Sequence, residues 1–115
     1  MKPGKPTSKE RLEHVIQAID SIQLYCQKHS ADSFLADAKT IDACLYQYTI
    51  IGEATASIDS SVLEKYDYPW YKVKSFRNFI LHEYHAVDMR VIWDTTTEIL
   101  PGLKEMMEEI LTKEF

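Results

Sequence analysis

Glycine and proline are scarce in this chain, 3 and 4 residues respectively out of 115. Tight turns and sheet edges consume both residue types, so an all-β domain of this length would need more of them. The chain is therefore restricted to a few long, uninterrupted elements, and helices satisfy that restriction. Where the apolar pattern is sustained it has helical spacing: Leu12, Val15, Ile16, Ile19, Ile22 and Cys26 fall on one stripe, with Arg11, Glu13, Gln17 and Asp20 on other faces. At 45% hydrophobic residues the chain holds enough apolar mass for one core. A single domain over residues 1–115 is expected.

Residues 1–6 read as a flexible tail. Thr7-Ser8-Lys9-Glu10 has the pattern of a capping box, with Thr7 as N-cap, and opens a helix expected to run to about Lys28. His29 to Ser33 is a break, and Phe34 to Asp37 a short helical turn. A second long helix is expected from Lys39 or Thr40. Its apolar residues, from Ile41 through Tyr48 and Ile51 to Ala56, crowd more than one face, which makes it central. Gly52 inside it has two readings. It either admits a second helix at close range or simply costs about 1 kcal/mol in helix propensity.

Ser57 to Tyr68 is a connector, with Asp59 or Ser60 capping a short turn over Val62 to Tyr66. A third helix is expected from Pro69 to Tyr84 or His85, anchored at its start by Trp70. Asp88 caps a fourth, and Pro101-Gly102 should kink or interrupt it near Leu100. A last helical segment carries Leu103, Met106, Met107, Ile110 and Leu111. The predicted architecture is all-α: an up-and-down four-helix bundle with a short extra C-terminal helical segment.

The net charge of -5 and a pI near 5.3 make a poor global field for nucleic acid. Any RNA site must be a local patch, and Lys72, Lys74, Arg77 and Arg90 supply one against Glu83 and Asp88, with His82 and His85 able to add charge; on charge alone, an ordinary mixed helix surface accounts for these residues better. Cys26 and Cys44 lack metal-ligand spacing and sit in apolar helical patterns, as buried free thiols of a reducing compartment do. No secretory leader and no membrane-length apolar run is present, so a soluble cytoplasmic protein with no membrane association is expected.

The decade Ser75 to Tyr84 carries the chemistry. It is apolar on several faces yet holds a cation (Arg77), an amide (Asn78), an imidazole (His82) and a phenol (Tyr84). Such groups are costly against apolar neighbours unless paired or used. On a helical wheel Val73, Phe76, Ile80 and Tyr84 share one side, Asn78, His82 and His85 lie roughly opposite, and Phe79 and Leu81 fill the flanks. One side can meet the chain's own core and the other a second copy, which predicts a homodimer with this helix near the two-fold axis.

Arg77 and His82 are five apart, about 140° around the axis and about 7.5 Å along it, so a bare helix does not aim them at one atom; either the long arginine stem curls toward the histidine edge, or a two-fold axis brings one protomer's histidine near the other's arginine. Asn78 and His82, four apart, are neighbours. Histidine can serve as base or acid near neutrality, and arginine offers a fork matched to phosphate oxygens. Paired across a dimer cleft, these are the parts of metal-free RNA cleavage. From spacing alone, a buried arginine–carboxylate pair and a satisfied core histidine account for the same residues better.

The run Arg77-Asn78-Phe79-Ile80-Leu81-His82-Glu83-Tyr84 resembles the R-x4-H-x-Y motif of HepT-type toxins in the HEPN superfamily. The likeness continues in order through Phe34-Leu35-Ala36-Asp37, Lys39-Thr40, Ile50-Ile51-Gly52-Glu53-Ala54, Pro69-Trp70, Val87-Asp88, Val91-Ile92-Trp93 and Leu100-Pro101, covering nearly everything from Arg11 to Leu111. It implies a HEPN four-helix bundle that dimerises and cleaves RNA at an interprotomer cleft without a metal or cofactor. Arg77 and His82 would be catalytic and Asn78 supporting. The implied partner is an MNT-type nucleotidyltransferase antitoxin, which would add AMP to Tyr84. A bulky anion beside Arg77 would block the cleft. Tyr84 could equally be a packing residue with a wet hydroxyl.

The alternative function is a non-catalytic HEPN module that docks a nucleotidyltransferase or a nucleotide. His14 and His29 read as surface or boundary residues, and His85 as a helix-end cap more than a cleft residue. Trp70 and Trp93 read as core anchors. Glu53, inside an apolar helix, reads as buried and as a partner for Arg77 or another cation.

Overall fold

The computed structural model describes residues 4–83 and 86–115, without the side chain of Glu83. Thr7 caps the first helix, α1 (Ser8–Cys26), and the expected capping box with Glu10 is formed. Asp37 caps α3 (Ala38–Ala56) by accepting from the Thr40 amide at 3.1 Å. Between them α2 (Ala31–Leu35) starts three residues earlier than expected, because Ser30 and Ser33 form a reciprocal cap of their own. Asp59 caps α4 (Ser60–Leu63), and Asp88 caps α7 (Met89–Asp94), as anticipated. Among the described residues there is no β-strand, and the all-helical architecture holds. No helix is long and apolar enough to cross a membrane.

Helix α3 runs through the middle and packs against α1 on one side and the 70–83 segment on the other. Leu12, Val15, Ile19 and Ile22 of α1 meet Cys44, Tyr48 and Ile51 of α3 and Leu100, Leu103, Met107 and Ile110 of α8 (Leu100–Glu114), all essentially solvent-free. Cys26 and Cys44 are buried free thiols with their sulfurs 3.6 Å apart. The Tyr48 hydroxyl lies 2.7 Å from that of Thr96, which itself donates to the Ile92 carbonyl, so tyrosine is the donor. Burial drives the Tyr48 phenol well above its ordinary range.

One expectation about helix continuity needs correction. The third helix is not one rod from Pro69 to Tyr84 but two pieces, α5 (Trp70–Lys74) and α6 (Phe76–Glu83), broken at Ser75. The Ser75 hydroxyl bonds back to the Lys72 carbonyl at 2.7 Å, a contact that bends helices. Trp70 does anchor the start: its indole N–H is shared between the carbonyls of Leu63 and Tyr66. The interruption expected near Leu100, just ahead of Pro101, is present. The irregularity falls before it, as a π-helical stretch over Thr95–Ile99, and α8 carries Pro101 in its first turn. Proline lacks an amide proton and crowds the carbonyl four residues back, and widening the preceding turn relieves both problems. Thr95, Thr96 and Thr97 each donate a hydroxyl to the carbonyl four residues earlier. The C-terminal segment is 15 residues long and packs along α1.

Gly52 resolves in favour of close approach. A Cβ placed there would lie 2.7 Å from the backbone nitrogen of Arg77, 3.2 Å from Cβ of Phe76 and 3.3 Å from the Lys74 carbonyl. Gly102, in the first turn of α8, has nothing within 4 Å of such an atom. Gly52→Ala should therefore lower stability by about 1–3 kcal/mol, overpacking outweighing the propensity gain. Gly102→Ala should raise it by up to about 1 kcal/mol. Urea unfolding of the two variants checks the pair, and a stabilised Gly52→Ala would contradict the close approach. Acid should also destabilise the fold. Hydrogen bonds from the Thr7 and Ser61 amides and the Thr40 hydroxyl, with their neighbours, hold Glu10, Asp59 and Asp37 below the usual carboxylate range. What they contribute is present above about pH 4 and lost as pH falls through their lower folded values, which thermal melts across that range measure.

Candidate active site

Gly52 seats the backbone of residues 74–77 directly on α3, and this decides where Arg77 emerges. Its neighbour on α3 is Glu53, whose Oε2 lies 3.9 Å from Arg77 Nε. The two side chains remain 47% and 64% exposed, so this is a loose, solvated pair worth at most about 1 kcal/mol. The expected partnership is present, but the expected burial of Glu53 is not. Position 53 stands between the groove beside α6 and a second hollow that it shares with α1.

Arg77, Asn78, Lys74, Glu53 and Ser57 line an open depression of about 350 Å³, floored by Gly52 and Ala56. It presents two cations and an amide against one carboxylate. Of the basic patch read from the sequence, Lys74 and Arg77 come together here, while Arg90 lies next to Asp94 at 3.4 Å, one turn along α7. Lys74 carried a readable signal, since it stands three residues before Arg77, the spacing of helical neighbours.

His82 is exposed, further along α6, and does not line that depression. It is not a core histidine, and Arg77 is not half of a buried ion pair. Both ordinary explanations of the motif fail on exposure alone. Tyr84 and His85 lie outside the described residues. On the same helix Ile80 is buried, as is Val73 on α5, while Phe79 and Leu81 are 45% and 54% exposed and Tyr46 of α3 is 65% exposed. Leu45, Tyr46, Thr49, Ile80 and Leu81 line an apolar groove between α3 and α6.

Among the described residues no group of three or more His, Cys, Asp or Glu side chains is placed to hold a metal ion. His29 is tied into the α2–α3 turn, 2.9 Å from Ser33 and 3.5 Å from Asp37. Trp93 packs on Phe34 with ring centroids 5.2 Å apart, consistent with its reading as an anchor.

Comparison with known families adds the decisive observation. The model of the family described as "Ribonuclease HepT-like" matches residues 15–110, which include the whole of α3, α5 and α6. The chain belongs to the HepT-like ribonuclease family. A relative from Thermococcus cleftensis, named "Probable ribonuclease HepT", is 33% identical over 92% of this chain and 97% of its own. Another, from Caldanaerobacter subterraneus subsp. tengcongensis and named "Putative RNase", is 31% identical over 94% of this chain and 97% of its own. No solved structure matches. In this HepT-like chain, Glu53→Gln should lower stability by no more than about 1 kcal/mol, as befits an exposed pair. A larger loss in denaturant titration would mean that the carboxylate is held more deeply than the geometry shows.

Proposed function

We propose that this HepT-like protein is an endoribonuclease of the HEPN type, with Arg77 and His82 catalytic and Asn78 supporting. The exposure of Arg77 at the rim of an open depression carries the reading. A guanidinium with only a 3.9 Å contact to an exposed carboxylate is free to engage a phosphate in its place. In the reaction, the imidazole of His82 accepts the proton of a ribose 2′-hydroxyl, whose oxygen attacks the adjacent phosphorus. Arg77 stabilises the crowded phosphorane, and the 5′-oxygen leaves with a proton supplied by a second imidazole. No metal ion is required.

The second imidazole comes from a second copy of the chain. Phe79, Leu81 and Tyr46 leave an apolar surface open along α6 and α3, on the helix that carries both catalytic side chains. A two-fold axis there doubles the set and brings one protomer's His82 toward its partner's Arg77, which the spacing along a single α6 does not do.

The biological setting we infer is a cytoplasmic toxin–antitoxin module. Its partner would be an MNT-type nucleotidyltransferase that silences the toxin by transferring AMP to Tyr84, two residues beyond His82. The added anion would compete with RNA for Arg77.

Purified protein incubated with RNA in EDTA should cleave it, and Arg77→Ala or His82→Ala should each slow cleavage by roughly a hundredfold or more. Equal cleavage by all three proteins removes these residues from the mechanism. Binding without cleavage by the wild type leaves a docking module instead. After co-expression with a nucleotidyltransferase partner, mass spectrometry should find one AMP on the peptide holding Tyr84, and an unmodified peptide counts against that control.

A further inference from the structure

We infer that Arg11 and His14 on α1 form a second phosphate subsite, which holds the RNA backbone beside the phosphodiester that Arg77 faces. This rests on the ribonuclease reading above. Arg11 and His14, three residues apart, share one helix face. With Ile50, Glu53 and Ala54 of α3 they line a depression of about 200 Å³. Glu53 also lines the Arg77 depression, so the two hollows adjoin across a single side chain.

Charge favours an anion there. Arg11, Lys74 and Arg77 place three permanent cations around one carboxylate, on a chain whose net charge is -5. Elsewhere among the described residues, hollows along α8 are lined by Glu105, Glu108 and Glu109 against the one cation Lys113, a balance that disfavours a polyanion. Arg11 Nε is buried without a hydrogen-bond partner, so no protein carboxylate ties the guanidinium down through that atom. Glu10, the adjacent carboxylate, is turned to the helix end, where its Oε1 accepts from the Thr7 amide at 3.0 Å. A guanidinium with an imidazole one turn away matches a phosphate group, and a single strand crossing both hollows would meet a cation in each.

The test uses the full chain and a fluorescein-labelled 2′-O-methyl oligoribonucleotide, which lacks the attacking hydroxyl. Anisotropy gives Kd across a salt series. Arg11→Gln should weaken binding roughly tenfold and lower the slope of log K against log salt by about 0.7, the share of a single neutralised phosphate on a single strand. His14→Gln should weaken binding less. Arg11→Lys, which keeps the charge, should restore most of the slope. On cleavable RNA the Gln variants should raise KM while kcat holds, the mark of binding shared by ground and transition states. Unchanged Kd and slope in both Gln variants, with Arg77→Ala still inactive, would overturn the subsite and leave the ribonuclease reading standing. Weakened binding in Arg11→Gln that lysine does not recover, together with a lowered melting temperature, would assign Arg11 a structural role and also overturn it. Failure of the wild type to bind or cleave RNA would remove both ideas.

Discussion

The rest of the structure depends on the missing side chain at Gly52. Its bare Cα lets the backbone of residues 74–77 lie on α3 at a range that no other residue permits. That contact sets the height of α6 against the bundle and directs Arg77 out beside Glu53. It also coincides with the break at Ser75, where the chain leaves α5 and begins α6. Core packing by Val73 and Ile80 then holds the two pieces in place on either side of the break. The candidate site is thus positioned by backbone, and rigid backbone contacts locate side chains better than flexible ones do.

The motif helix satisfies its polar residues by exposing them. Arg77, Asn78 and His82 all stand toward the surface, so none of them bears the desolvation penalty of a buried charge or amide. The consequence falls on the apolar residues of the same helix. Phe79 and Leu81 cannot also reach the core, and they remain in solvent, as does Tyr46 on α3. A helix apolar on several faces is expected to be buried on several faces. Within one chain only one of those faces is covered.

Helix starts are legible in the sequence because caps are local. Thr7 with Glu10, Asp59 and Asp88 each act within three residues, and each stands out as a pattern. The buried cysteines and the role of Trp70 follow from apolar spacing and from the proline before the tryptophan. The breaks are less legible. Ser75 carries no breaker signal, and its bend goes with the seating on Gly52. Pro101 does signal a disturbance, but the backbone absorbs it one turn earlier, in the π-helical stretch. Glu53 defies the expectation of burial because an apolar helix suggests burial all round, whereas its exposure depends on which neighbours are present.

What the sequence alone determined is the helical class, the caps at Thr7, Asp59 and Asp88, the stripe that forms the core and the motif from Arg77 to Tyr84, since these rest on spacing within a few turns of chain. Only the tertiary structure decided that Gly52 is a contact rather than a weakness, that Glu53 meets Arg77 in the open, and that Arg11 and His14 share a wall with that site. Those facts join residues far apart in the chain. Their relation is set by how closely three helices pack, and periodicity along one helix carries no information about the distance to another.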